Sequence, residues 1–163
     1  MRQFFSFPEF INEPAARLVA SGVLLMSLIS IVLISLNIKL VLIILLAMLY
    51  GFLARVLSGP KVSPLALVVT KVLVPKLNLA ERLVPGPPKR FAQSVGLVFS
   101  ILILGLWLAG LNAVTVALLS ILSVFASLEA LVGYCFGCKV FKVLIYAGLV
   151  PEHICKQCAV YEY

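Results

Sequence analysis

Residues 91–128 contain no Asp, Glu, Lys or Arg, a run about twice as long as the roughly 20 apolar residues that cross a hydrocarbon layer. In lipid such a segment must bond all its own backbone N–H and C=O groups, so it has to fold back as a helical hairpin. The turn is predicted at Gly110-Leu111-Asn112. A second uncharged run, Leu18–Leu36, is followed after a break at Asn37 by Leu40–Ala54, whose flanking Lys39 and Arg55 reach the two interfaces. The reading is an all-α integral membrane protein with four transmembrane helices in two tandem helical hairpins. Composition agrees, because 63% hydrophobic and 12% charged residues in a chain of 163 is more apolar surface than a soluble core can hide. Met1–Pro14 has no apolar h-region or small-residue cleavage site of a signal peptide.

The basic residues orient the spans. Of the 13 Lys and Arg, all but Lys39 fall on the side shared by both termini and the central loop. That bias predicts a multi-pass protein of the inner (plasma) membrane with cytoplasmic N- and C-termini. The net charge of +7 then faces anionic headgroups, and the lipid bilayer is the expected partner. Nucleic acid is not, since the basic residues lie singly along membrane flanks with no recognisable module. Homo-oligomerisation is left open. No phosphate-binding glycine loop, His-Glu-x-x-His or paired carboxylates are present, and with no Asp and one His hydrolytic chemistry finds no support. No charged series lines the spans as a transport path.

The chain reads as a pseudo-repeat within one membrane domain, 1–163. Leu36-Asn37 recurs as Leu111-Asn112, and Leu73-Val74-Pro75 as Leu149-Val150-Pro151, dividing the chain into a first hairpin unit, 1–84, and a second, 85–163. Leu65–Val74 and Lys139–Val150 are too short to cross and are expected as short interfacial helices on the cytoplasmic side. Phe4, Phe5, Phe7 and Phe10 form an apolar patch expected to dip into the headgroups. Pro85-Gly86-Pro87-Pro88 is expected to hold an extended turn ahead of Lys89-Arg90 and the third span.

Two Cys-x-x-Cys pairs carry the chemistry: Cys135 with Cys138, and Cys155 with Cys158. In the repeat the first pair stands where Pro60 and Ser63 stand in the other unit. Gly133 and Gly137 allow the fourth span to break, and a helix restarting near Cys135, helped by Lys139, would favour its thiolate. One use is a thiol relay, with Cys135 attacking, Cys138 resolving and Cys155–Cys158 as a second couple. The other is a structural zinc site with all four cysteines as ligands and His153 as a spare. Inert or palmitoylated cysteines are a third. Glu129, roughly 25 Å along the fourth helix, is expected to bridge to Arg55 at similar depth; its functional alternative is proton acceptor for Cys135.

Pro85-Gly86-Pro87-Pro88-Lys89-Arg90-Phe91-Ala92-Gln93, Ser58-Gly59-Pro60 with Ser63-Pro64, Cys135-Phe136-Gly137-Cys138-Lys139, and Gly148-Leu149-Val150-Pro151-Glu152 before Cys155-x-x-Cys158 together resemble the bacterial membrane family DUF4395. The resemblance covers nearly the whole chain from about Pro8. It implies a membrane fold with the two Cys pairs and the Pro-Gly-Pro-Pro-Lys-Arg segment as characteristic positions. It also implies, through the proteins such members often accompany, thiol or sulfane-sulfur metabolism with a thioredoxin-like or sulfurtransferase partner. Thiol-disulfide or sulfur-transfer activity is therefore the first expectation, and a non-enzymatic scaffold or transporter subunit holding one zinc is the alternative.

Overall fold

The structure, a computed structural model, describes residues 8–148. A short strand β1 (Phe10–Asn12) leads into α1 (Glu13–Ser35), with Pro14 in the first turn where its missing N–H leaves no bond unmade. Asn37 takes a left-handed φ of 55° and turns the chain into α2 (Val41–Ser58). A 3-10 turn at Gly59–Lys61 precedes α3 (Pro64–Val68), which runs through a widened π turn (Val69–Leu73) into α4 (Val74–Lys76). Strand β2 (Leu83–Pro85) gives way directly to α5 (Gly86–Leu108). Gly110, at φ +77°, turns the chain into α6 (Asn112–Ser127), which ends in a second π turn (Leu128–Val132). The last helix, α7, spans Phe136–Tyr146.

Four helical stretches are long and apolar enough to cross a membrane: Glu13–Ser35, Val41–Lys76, Gly86–Leu108 and Asn112–Val132. The protein is a multi-pass, all-α membrane protein. Its outward faces carry Leu25, Ile29, Ile43, Leu46, Ile101 and Val124, while Ser27, Ser100, Thr115 and Ser123 lie inside. Each buried hydroxyl donates to a carbonyl four residues back, so it brings no unmet bond into the bundle and lets the helices approach closely. At Gly96 the Phe52 ring of α2 packs directly over α5, where any side chain would collide with it.

Up-down-up-down order makes neighbouring helices antiparallel, and the hairpins interlock. α1 lies most extensively along α6 and α2 along α5, more than along their own hairpin partners. The two halves also close each other's helix ends. Arg17, in α1, donates from Nε to Ala130 O (3.2 Å) and from Nη2 to Leu131 O (2.7 Å) at the end of the α6 span. Arg90, in α5, donates from Nε to Val56 O (3.1 Å) at the end of α2. Terminal helix carbonyls lack intrahelical donors, and in lipid an unmet one is expensive.

Two features depart from the sequence reading. The Pro-Gly-Pro-Pro segment is not an extended turn throughout: the third span begins at Gly86, with Pro87 and Pro88 inside its first turn. The extended part ends at Pro85, where β2 pairs antiparallel with β1 (Phe10 with Pro85, Ile11 with Val84, Asn12 with Leu83). Phe10 is thus a strand residue, whereas Phe4, Phe5 and Phe7 lie outside the described residues. The short helices sit at one end of the bundle: α3 and its π turn pack on Ala15 and Val19 of α1, and α7 packs on α5 through Phe141 and Phe91, ring centroids 5.6 Å apart.

The seating of α7 depends on Gly137, because a Cβ there would lie 2.6 Å from the Ala92 Cβ. Gly137→Val is expected to cost about 1–3 kcal/mol by overpacking and to lift α7 from α5. Thiol labelling of Cys138 should then become faster than in the parent while α1, α2 and α6 keep their helicity by circular dichroism.

Candidate functional site

Starting α5 at Gly86 puts Lys89 in its first turn and Gln93 one turn further along the same face, since residues four apart on a helix are neighbours. Lys89 Nζ lies 2.7 Å from Glu129 Oε1, and the two side chains are only 4% and 16% exposed. Glu129 comes from the π turn that ends α6. From the other side Arg55 of α2, 5% exposed, donates from Nε to Gln93 Oε1 (2.7 Å) and reaches Ser63 Oγ from Nη1 (3.5 Å). Its guanidinium lies 4.5 Å from the centroid of the Phe52 ring.

The expected Arg55–Glu129 bridge is therefore replaced. Glu129 takes Lys89, and Arg55 is held by Gln93 and Ser63 while still feeling the carboxylate through space. The cause is the earlier start of α5, which brings into the bundle an ammonium that an extended segment would have left outside.

Gly133, at φ +76°, stops the π turn, and Cys135 becomes the N-cap of α7. Its carbonyl accepts the N–H groups of Cys138 (3.1 Å) and Lys139 (3.2 Å). Both cysteines are free thiols, 3% and 0% exposed, and the Lys89 charge acts on each of them. The facing Cys138 thiol, with help from Lys89, holds the Cys135 thiol below its usual range against burial and Glu129. Cys138 is pushed well up by its neighbour Cys135 and by burial. The two sulfurs are thus unequal, with Cys135 the one on which a thiolate is favoured. Lys139, expected to assist Cys135, instead sits 5.6 Å over the Tyr134 ring.

Charge counting reaches the same result. Arg55 and Lys89 are both buried cations, and Glu129 is the carboxylate among the described residues that faces them. One positive charge is left over in an apolar bundle, where an uncompensated charge is strongly unfavourable. A thiolate on Cys135 would offset it.

Beside this cluster lies a cavity of about 290 Å³, walled by Phe91, Phe99, Phe125 and Phe136, with Ala16 and Ala20 of α1 opposite. Arg55, Gln93, Glu129 and Cys135 supply its polar edge. A second hollow of about 200 Å³ lies against Arg55, Gln93 and Lys89 and reaches Thr70 and Asn12. Asn12 Oδ1 is buried there without a hydrogen-bond partner among the described residues.

The profile of a domain of unknown function, DUF4395, matches residues 11–145. The chain belongs to the DUF4395 family. The matched region contains all four membrane spans, the buried charges and the first cysteine pair. No curated protein and no solved structure matches the chain. Cys155 and Cys158 lie beyond the DUF4395 match and, with His153, outside the described residues. Among the described residues no group of three His, Cys, Asp or Glu is placed to hold a metal ion, so the four-cysteine zinc reading rests on the tail. Sequence reasoning missed Lys89 and Gln93 as site residues, although both stand in the DUF4395 motif string quoted above. Their spacing of four residues was the available signal once the helix is allowed to start before them.

Glu129→Gln is expected to destabilise the bundle by about 3 kcal/mol or more, because Lys89 and Arg55 are then buried without a carboxylate. Adding Lys89→Met should recover much of that loss, whereas adding Arg55→Met should recover less. Denaturation of the three variants in detergent measures the couplings.

Proposed function

We propose that the protein is a membrane-embedded dithiol relay in which Cys135 and Cys138 are the inner couple and Cys155 and Cys158 the outer one. The outer couple exchanges electrons, or sulfane sulfur, with a thioredoxin-like or sulfurtransferase protein at the cytoplasmic face of the inner membrane. The observation that carries the reading is the leftover buried cation: Lys89 and Arg55 against one carboxylate give Cys135 an electrostatic reason to be a thiolate, the reactive form of the side chain.

Burial refines the roles read from the sequence. With both inner sulfurs almost fully covered, a partner protein has no direct approach to Cys135, and the link between the two is assigned in this reading to the outer couple, nine and twelve residues beyond the end of α7 in the sequence. In the electron-accepting direction a partner dithiol reduces the outer disulfide. An outer thiolate then attacks Cys135 of the inner disulfide, and Cys138 leaves and takes up a proton. The second outer thiolate resolves the mixed disulfide, restoring the outer disulfide and releasing Cys135 as a thiolate. Glu129, paired with Lys89 beside the thiols, is positioned as the proton donor and acceptor for this step. The cytoplasmic assignment is supported by the basic residues, of which only Lys39 falls at the opposite turn.

Cys138→Ser should trap a disulfide between Cys135 and Cys155 or Cys158, seen by non-reducing peptide mapping, with any partner adduct on the outer pair. Stoichiometric zinc in anaerobically purified protein, with no trapped disulfide, would replace the relay by a zinc-holding scaffold. Alkylation of Cys135 by a small neutral reagent should stay fast at pH values below the ordinary thiol range, because the lowered pKa keeps the thiolate populated as protons are added. Lys89→Met should move that profile to higher pH. In intact cells a membrane-impermeant thiol label should miss Cys155 and Cys158 and reach them after permeabilisation; labelling without permeabilisation reverses the orientation.

A further inference from the structure

We infer that the apolar cavity beside Cys135 takes the ring of a lipid-soluble quinone, and that this quinone oxidises the Cys135–Cys138 dithiol. The inference rests on the dithiol reading above and names its electron acceptor. A relay whose inner couple is closed to proteins needs an oxidant small enough to enter the bundle, and in a membrane protein that oxidant can arrive through lipid.

The cavity selects for such a molecule in three ways. Its walls are aromatic and apolar: Phe125 stacks on Phe136, centroids 4.8 Å apart, and meets Phe99 edge-on at 6.4 Å. A flat ring packs well on such surfaces, whereas a hydrated anion loses its water there with little return. At about 290 Å³ the volume sits at the small end of ligand pockets, roughly 300–1,000 Å³, and suits one substituted six-membered ring. Its polar lining includes two donors that lack an acceptor. Gln93 Oε1 accepts from Arg55 Nε, and the Gln93 Nε2 and the Arg55 Nη2 have no acceptor among the described residues. A ring carbonyl oxygen meets that need, and an acyl chain does not. The same donors, with the leftover positive charge, stabilise the negative charge that builds on that oxygen as electrons arrive.

The step balances without further reagents. Cys135 thiolate, Cys138 thiol, one quinone and one proton from water give one disulfide and one quinol. The S–S bond forms, two electrons pass to the ring, and the two protons finish on the quinol oxygens, the one from Cys138 by way of Glu129. Small residues on α1 make room for the ring: Ala16 and Ala20 line the same cavity as Gln93.

The test uses the full-length reduced protein in anaerobic lipid nanodiscs with decylubiquinone, whose fully substituted ring resists thiol addition. Loss of quinone absorbance and peptide mapping should give one quinol for each Cys135–Cys138 disulfide. Ala20→Leu, which fills the cavity, should slow quinol formation at least tenfold while the inner couple still exchanges with glutathione disulfide. Gln93→Glu keeps an acceptor for Arg55 but deletes the amide donor, and should raise the half-saturating quinone concentration about tenfold, the loss of one hydrogen bond. If decylubiquinone stays oxidised while glutathione disulfide still oxidises the inner couple, the quinone assignment falls and the dithiol reading stands. That result is also expected if an acyl chain or residues 149–163 fill the cavity. If Cys135 reacts with neither, the dithiol reading falls as well. Cysteine-dependent quinol formation unchanged in both variants moves the quinone out of this cavity and overturns the site.

Discussion

The Lys89–Glu129 ion pair is the constraint around which the bundle is arranged. Carrying an ammonium into a helix bundle surrounded by lipid is tolerated only with a partner at hydrogen-bond distance and further groups to spread the charge. Each local irregularity serves that requirement. The proline-rich segment begins α5 early enough to aim Lys89 inward. The π turn at Leu128–Val132 ends α6 with Glu129 in reach, a kind of helix defect often found at functional positions. Arg55 does not meet that carboxylate at contact distance, and Gln93 and Ser63 accept its hydrogen bonds instead. The cation that remains over is what ties the electrostatics of the spans to the sulfur chemistry at the start of α7.

Much of this architecture was legible in the residues because its signals are local. Uncharged runs of bilayer length mark the spans, Asn37 and Gly110 mark the hairpin turns, and the glycines around Cys135 mark a restart of helix, which the structure has at Phe136. The missed parts are the ones that distance along the chain conceals. Pro87 and Pro88 read as helix breakers, yet in a first turn they have no bond to break, so Lys89 was read as a surface charge. The pairing of Phe10 with Pro85 is a long-range match between two three-residue strands with no periodicity to announce them. Depth along the spans correctly brought Arg55 and Glu129 into one neighbourhood, but depth alone does not choose between Arg55 and Lys89 as partner.

The halves resemble one another in frame and differ in filling. Arg17 and Arg90 perform the same task from the first turns of α1 and α5, and Ser27 and Ser100 make the same bond one level deeper. Counting from those arginines, Ala16 and Ala20 occupy the places that Lys89 and Gln93 occupy in the second half. At these positions one half carries polar groups and the other methyl groups, and Ala16, Ala20 and Gln93 all line the cavity.

The reciprocal arginine caps have a consequence for how the chain is put together. Among the described residues, carbonyls at the end of each hairpin's second helix accept side-chain hydrogen bonds from the first helix of the other hairpin, from Arg17 in one case and Arg90 in the other. The two hairpins are thus the covalently joined halves of an obligate heterodimer. Neither is a finished membrane structure until its counterpart has been threaded beside it, and Arg55, the cation that α2 brings to the Lys89–Glu129 pair through Gln93, joins the second hairpin only at that final docking.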